Sequence, residues 1–251
     1  MSTFDRNTNV RYATAGTRAE AGVYDEGLRA YMLGVYNYMA LGLAITGVFA
    51  LGTVYFAIDQ ATGGLTAFGQ TIYLSPLKWV IMLAPLAMVF FLSFRIQSMS
   101  ASTAQTTFWV YAALMGLSLS SIFLVYTGAS IARVFFISAA SFGALSIFGY
   151  TTKKDLSGWG SFLFMGLIGI IIASLVNIFL ASSALQFAIS VIGVLVFAGL
   201  TAYDTQQIKE MYYAGDGREV AVKKSVMGAL RLYLDFINLF LMLLQLFGNR
   251  E

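Results

Sequence analysis

Two aspartates, Asp204 and Asp235, lie inside hydrophobic stretches of this sequence, where an acidic side chain is rare. The other ten acidic residues fall in polar segments or at the ends of such stretches. A carboxylate in a hydrocarbon layer costs about 2.5–3.5 kcal/mol or more, and it usually faces a bundle interior or a water-filled cavity on an ion or proton path. Two neighbouring carboxyl groups at low dielectric tend to share one proton. The pair would therefore supply a titrating group near neutral pH in a chain that has no His.

Other polar residues recur at helical spacing beside these two acids. Arg231, Asp235 and Asn238 share one stripe of the last hydrophobic stretch, and Gln207 follows Asp204 by three residues. Two polar stripes that face each other are more stable than either would be facing lipid. We therefore predict that Asp204 and Asp235 form a pH sensor and ion path, with a transient Ca²⁺ contact, and that Arg231, Asn238 and Gln207 support them. Asn37, Asn177 and Asn238 are also expected to form hydrogen bonds between helices.

Arg95 ends the second hydrophobic stretch on the same side of the membrane and is a candidate latch. A guanidinium pairs strongly with a carboxylate, so protonation of the aspartates would release it. The same residues also fit a simpler interpretation, in which the two acids, Arg95 and Arg231 form a neutralised structural network. Asp204, near the predicted membrane boundary, could also extend its carboxyl group into water.

Seven hydrophobic stretches must position these residues. The chain is 59% hydrophobic and only 11% charged, against roughly 25% charged in soluble domains. About 20 helical residues cross a bilayer core, and stretches of this length occur at 32–57, 77–95, 106–126, 130–151, 161–181, 184–204 and 227–248. The connection at 58–76 is predicted to be a Gly- and Thr-rich loop. We predict an all-α integral membrane protein with seven transmembrane helices.

Basic residues are distributed unequally between the two ends of these predicted spans. Eleven lie in the N-terminal tail, at the end of the second stretch or in the connections after the fourth and sixth, whereas three lie on the opposite side. The side richer in Lys and Arg is normally cytoplasmic. We predict a cytoplasmic N-terminus, a disordered cytoplasmic tail over residues 1–27 and a transmembrane domain over 28–251. The lack of Cys and of an apparent signal peptide favours a bacterial inner (plasma) membrane.

Several classes of protein are not expected from this composition. Without Cys there are no disulfides and no thiolate metal sites. The sequence contains no nucleophile–base set, cofactor motif, zinc motif or nucleic-acid-binding module. We therefore expect no enzyme activity, no cofactor and no nucleic-acid partner, and the lipid bilayer is the expected surrounding.

Two segments at the aspartates carry a family resemblance. Residues 197–209 (FAGLTAYDTQQIK) and 232–240 (LYLDFINLF) resemble the two late helices of the Bax inhibitor-1/YccA family, also called transmembrane BAX inhibitor motif proteins. Residues 31–52 (YMLGVYNYMALGLAITGVFALG) resemble the family's first helix. The likeness extends over about residues 28–248.

The resemblance implies a fold and an activity. The family fold has six helices that surround a central seventh, and a member is thought to leak Ca²⁺ in a pH-dependent way. Carried over by motif, Asp204 and Asp235 match the family's aspartate sensor and Arg95 matches its latch. Arg231 departs from this pattern, because it places a cation that repels Ca²⁺ beside the sensor. A non-conducting regulator of a membrane protease or of stress and cell-death machinery is the alternative, and a transporter is a third.

Overall fold

The structure, a computed structural model, describes the backbone of residues 5–250 and the side chains of residues 26–250. Within that range the helices are α1 (Asp5–Ala57), α2 (Ala67–Tyr73), α3 (Leu77–Arg95), α4 (Ala101–Leu119), α5 (Gly128–Thr151), α6 (Ser157–Leu180), α7 (Ser183–Glu210) and α8 (Arg218–Phe247). The described residues contain two isolated β-bridges and no strand. The predicted disordered tail, residues 1–27, falls almost entirely outside the described side chains and stays a prediction.

Seven of these helices are long and apolar enough to cross a membrane, and α2 is the exception. The predicted all-α membrane architecture with seven spans is therefore confirmed. Several helices begin after a capping Ser or Thr, because the hydroxyl of this residue accepts a hydrogen bond from a backbone N–H of the first turn. The capping residues are Thr66, Ser100, Thr127 and Ser182.

The last two helices extend beyond the hydrophobic stretches that predict them. Helix α7 continues six residues past Asp204, and α8 begins nine residues before position 227. These polar turns stay helical because their lysines bond to backbone carbonyls at neighbouring helix ends. Lys209 Nζ donates to the Tyr150 carbonyl at 2.9 Å, and Lys224 Nζ donates to the Met211 carbonyl at 2.9 Å. Asp204 therefore lies within a helix and not at its end.

The connection between α1 and α3 contains more structure than its predicted loop. Thr66 caps the short helix α2, and Tyr73 in that helix donates a hydrogen bond to Ser120 Oγ at 2.9 Å. Gly69 is required here, because a Cβ at this position would lie 2.2 Å from the Ala57 carbonyl oxygen. The predicted connection over 58–76 thus contains a short helix, since Thr66 and Gly69 allow it to pack against the end of α1.

Helix α8 is the most buried of the seven spans. In its most apolar 18-residue stretch 67% of the residues are buried, against 39% or less in each of the other six spans. It packs against α1, α4, α5 and α7. Burial of large side chains such as Leu232, Tyr233 and Leu239 gives the bundle its packing free energy through close van der Waals contact. The predicted ring of six helices around the seventh stays a prediction.

The segment after α8 is fixed beside the turn between α4 and α5. The backbone N–H of Asn249 donates to Ser130 Oγ at 2.9 Å, and the Thr127 N–H donates to the Asn249 carbonyl at 3.1 Å. The Arg250 guanidinium lies 5.8 Å from the ring centroid of Tyr126. The end of α8 therefore shares a side of the bundle with the α4–α5 turn, as seven complete spans require.

We expect reporter fusions to show position 155 in the cytoplasm and position 182 on the opposite side. The reason is the excess of basic residues at the end of the bundle that contains the α5–α6 and α7–α8 connections. Fusions of alkaline phosphatase and of a fluorescent protein at both positions measure this directly. A fluorescent, phosphatase-inactive fusion at position 182 would contradict the predicted orientation.

Candidate site at the aspartate pair

Helices α7 and α8 run antiparallel and bring Asp204 and Asp235 together. Asp235 is only 5% exposed, and its carboxyl group lies within hydrogen-bonding reach of the Asp204 carboxyl group. A hydrogen bond between two carboxyl groups requires one of them to carry a proton. The Oδ2 atom of Asp235 is buried and has no donor among the described residues. A buried polar atom without a partner is uncommon in a folded protein.

Arg231 provides the cation nearest to the pair. Its Nη1 atom lies 3.9 Å from Asp204 Oδ1, and its side chain is 45% exposed. Because the guanidinium is partly solvated and the distance is long, the pair contributes little to stability. The positive charge of Arg231 nevertheless lies in the lining of the cavity that contains both aspartates. The predicted position of a cation beside the aspartates is confirmed.

Arg95, the candidate latch, lies apart from the pair. It is exposed at the end of α3, and within the described range Arg231 is the residue that forms an ion pair with Asp204. No ion pair of Arg95 occurs among residues 26–250. Its role as a latch stays a prediction that requires α3 to approach α7 and α8.

The two amides predicted to support the pair make other contacts. Asn238 donates to the Leu234 carbonyl of its own helix at 2.8 Å, so the predicted bond between helices is wrong, because the carbonyl one turn earlier is the nearer acceptor. Gln207 donates to Ser157 Oγ at 3.4 Å and to Glu210 Oε2 at 3.1 Å. Asn238 lines the cavity beside the aspartates, whereas Gln207 forms a hydrogen bond to the first residue of α6.

A cavity of about 680 Å³ opens beside the aspartates between α6, α7 and α8. Its polar lining consists of Ser157, Ser161, Tyr203, Asp204, Arg231, Asp235 and Asn238. A volume of this size is in the range of small-ligand sites. The cavity places both carboxyl groups in contact with space that water or a cation can enter.

A second cavity of about 510 Å³ adjoins the first and extends along the bundle between α3, α4, α6 and α8. The two share the lining residues Leu167, Phe197, Leu234 and Asn238. Pro85 and Met82 of α3 line its far wall, and Ile178 marks its extension toward the other end of α6. The two cavities are therefore neighbours along α6 and α8, and together they are called the crevice between α3 and α6 below.

Comparison with known proteins gives the family. A family model described as "Inhibitor of apoptosis-promoting Bax1" matches residues 28–251. The chain belongs to this Bax inhibitor family. The inner membrane protein YbhL of Escherichia coli K12 is 51% identical over 227 residues, which cover 90% of this chain and 94% of YbhL. Uncharacterized protein RP147 of Rickettsia prowazekii is 53% identical over 238 residues, which cover 95% of this chain and 97% of that protein.

The matched region coincides with the part of the chain that crosses the membrane. An uncharacterized protein of Caulobacter vibrioides is 47% identical over 250 residues, which cover 98% of this chain and 99% of that protein. The seven long apolar helices and the membership of the Bax inhibitor family agree. This Bax inhibitor family protein is a multi-pass membrane protein, and the resemblance deduced from the sequence around the aspartates is confirmed.

The side chains at this site include two carboxyl groups that could contact a metal ion. Within residues 26–250 no group of three or more His, Cys, Asp or Glu side chains is placed to hold a metal. Ca²⁺ takes six to eight oxygen ligands, and the side-chain oxygens that line the cavity belong to Asp204, Asp235, Asn238, Ser157, Ser161 and Tyr203. A transient Ca²⁺ contact at the two aspartates stays a prediction.

Sequence reasoning missed Gln206, the residue that fixes the edge of this site. Gln206 is buried; its Oε1 atom accepts from the Leu156 N–H at 2.7 Å, and its Nε2 atom donates to the Lys154 carbonyl at 2.9 Å. These bonds tie the α5–α6 connection to α7 two residues after Asp204. The sequence carried no signal that separates Gln206 from Gln207, because both are polar and adjacent.

A second polar cluster lies at the far ends of α6, α7 and α8 from the aspartates. Most of its residues were not predicted from the sequence. Gln186 donates to Gln245 Oε1 at 2.5 Å, and Ser190 donates to the same oxygen at 2.8 Å. Asn177 donates to Gln186 Oε1 at 3.1 Å. Asn177 was predicted to bond between helices, and this is confirmed. The cluster supplies polar groups at the far end of α6, α7 and α8.

Proposed function

We propose that this protein is a pH-sensitive cation leak channel, with Ca²⁺ as a candidate ion, and that Asp204 and Asp235 control it. The observation that carries the proposal is the buried, unsatisfied Oδ2 atom of Asp235, held against a second carboxyl group at the edge of a large cavity. Ionisable groups at such a depth in membrane proteins mark ion or proton paths. A purely structural network would instead satisfy its carboxyl oxygens with donors.

The proton shared by the pair is the proposed switch. With one proton present the carboxyl groups hydrogen-bond, and α7 and α8 are held together at this point. Loss of that proton creates two like charges in a poorly solvated position, which repel one another. The repulsion draws in a compensating cation, either Arg95 from α3 or an ion from the cavity. Conduction and latching thus compete for the same carboxylates, which makes the flux depend on pH.

The proposed route follows the crevice between α3 and α6. It starts at the aspartates, passes Asn238 where the two cavities meet, and runs toward the second polar cluster at Gln186 and Gln245. Much of the lining between the two polar ends is apolar, for example Leu241 and Met242. Apolar constrictions gate channels by excluding water, so the resting state is expected to conduct slowly, as a leak does.

The proposed setting is the inner membrane of a bacterium, with the N-terminus in the cytoplasm. The E. coli relative YbhL is named an inner membrane protein, and the distribution of basic residues supports the orientation. The aspartate cavity then opens toward the cytoplasm, because it lies at the start of α6 and near the end of α7. Its proton occupancy would follow cytoplasmic pH.

Reconstitution into liposomes that contain a Ca²⁺-sensitive dye tests the proposal. Purified protein is expected to admit Ca²⁺ at a rate that changes with pH, and Asp235→Asn is expected to flatten that pH dependence or move it to lower pH. A parallel set with a dye for protons or for a monovalent cation identifies the ion. Flux equal to that of empty liposomes at every pH and for every ion would overturn the proposal and favour the alternative, a non-conducting regulator of a membrane protease or stress machinery.

Arg95→Ala is expected to raise the basal flux by up to about fivefold, since an exposed ion pair contributes at most about 1 kcal/mol to the closed state. The measurement is the initial rate of dye response at neutral pH. Arg133→Ala, an exposed arginine at the other end of the bundle, is the matched control. Equal rates for wild type and Arg95→Ala would show that Arg95 only extends its charge into water at the membrane boundary.

A further inference from the structure

A separate cleft lies between α1 and α5 and shares no lining residue with the two cavities beside the aspartates. It has a volume of about 480 Å³ and is lined mainly by apolar atoms. Tyr36 and Ser146 bond to each other at 2.6 Å across its floor. Gly143 leaves the floor open, because a Cβ built there would meet no atom within 4 Å. Leu33 and Ile147, which also line the cleft, are each more than half exposed.

The mouth of this cleft carries positive charge. Arg29 lines the cleft near the predicted cytoplasmic boundary and is exposed. Among residues 26–250 no acidic side chain forms an ion pair with it, Glu26 included. Tyr150 lines the cleft at the end of α5, and Lys209 Nζ donates to its carbonyl and lies 5.1 Å from its ring centroid.

Lys209 offsets the negative end of the α5 dipole, which would otherwise repel an anion at the cleft. The last carbonyls of α5 carry partial negative charge, and the bond from Lys209 neutralises one of them beside the cleft. Lys153, three residues after Tyr150, is exposed at the same end of α5. An apolar slot in the bilayer thus ends in a cationic rim at the level of the lipid headgroups.

We propose that the cleft between α1 and α5 binds one anionic phospholipid of the surrounding membrane, with an acyl chain against Gly143 and the phosphate at Arg29. Basic pockets between transmembrane helices on the cytoplasmic side bind anionic headgroups in this way. A peptide is a poor occupant, because Tyr36 and Ser146 satisfy each other and leave few polar groups for a backbone. The inference does not depend on ion conduction.

The test uses the full chain in neutral detergent with added phosphatidylglycerol or phosphatidylcholine. Bound lipid is counted by native mass spectrometry, and the unfolding midpoint is measured in parallel, since a ligand that binds only the folded state raises it. We expect phosphatidylglycerol to be retained more strongly and to raise the midpoint more. Arg29→Gln is expected to weaken phosphatidylglycerol binding about fivefold, the effect of one cation near the surface.

Gly143→Leu is the second variant, because a Cβ at this position would meet no atom within 4 Å and the longer side chain would extend into the slot. It is expected to remove retention of phosphatidylglycerol while the protein alone stays as stable as wild type. Arg133→Gln and Gly169→Leu are the controls; Arg133 is exposed at the other end of α5, and Gly169 on α6 is open in the same way as Gly143. Equal retention of both lipids by wild type, or equal effects of the cleft and control variants, would overturn the inference.

Discussion

The double variant Asp204→Asn/Asp235→Asn is expected to lose the pH response of ion flux while it remains folded. Asn keeps the shape of Asp and can still hydrogen-bond between α7 and α8, but it does not titrate. In each single variant the remaining carboxyl group has no like charge beside it, so the pH dependence should flatten or move to lower pH. The measurement is flux into liposomes across about pH 5 to 8, the range in which an unperturbed His would otherwise respond.

Asp155→Asn is the matched control for this experiment. Asp155 lies in the α5–α6 connection, where a hydrogen bond from the Ser157 backbone N–H holds the pKa of its carboxyl group below its ordinary value. It therefore stays ionised throughout the tested range, and its removal should leave the pH profile unchanged. A double Asn variant that keeps the wild-type profile would place the sensor elsewhere and would favour a neutralised structural network at the aspartates.

Arg231→Gln is expected to raise Ca²⁺ flux on the order of tenfold relative to flux of a monovalent cation. The guanidinium lies 3.9 Å from Asp204 and lines the same cavity, so it repels an entering divalent ion about twice as strongly as a monovalent one. The side chain is partly exposed, and solvent reduces the effect to roughly 1–2 kcal/mol. The ratio of the two fluxes is the measured quantity, because it cancels differences in the amount of reconstituted protein.

Arg231→Lys separates charge from shape in the same assay. Lysine keeps the positive charge but lacks the planar set of N–H donors of the guanidinium. If the charge selects the ion, this variant should preserve the wild-type flux ratio. If Lys and Gln at position 231 change the ratio equally, the charge of Arg231 does not select the ion, and the geometry of the guanidinium matters instead.

The seven spans could be predicted from sequence because hydrophobic length alone requires them, but their ends could not. Hydropathy places the end of the sixth span at residue 204, yet α7 continues to Glu210. Lys209 and Lys224 stabilise these polar turns by bonding to carbonyls of other segments. Such partners are defined only once the helices have packed, so no local pattern in the sequence reveals them.

The two aspartates of the candidate site could be predicted from the sequence, but the residues that contact them could not. Helical spacing put Arg231 near Asp235, but its nearest carboxylate is Asp204 on the neighbouring helix. Whether Arg95 or Arg231 forms an ion pair with the aspartates depends on the position of α3 relative to α7 and α8. Residue spacing within one helix does not give that position. The unsatisfied oxygen of Asp235 was likewise visible only in three dimensions.

The burial of α8 also constrains how the protein is made. This helix follows the other six spans in the chain, yet it is the most buried, and it packs against α1, α4, α5 and α7. Spans enter the membrane in order of synthesis, so these four helices are inserted before their shared packing partner is made. We expect ribosome-bound chains that stop before residue 218 to be inserted but readily digested by protease, and the nascent protein to depend on rapid delivery of its final span.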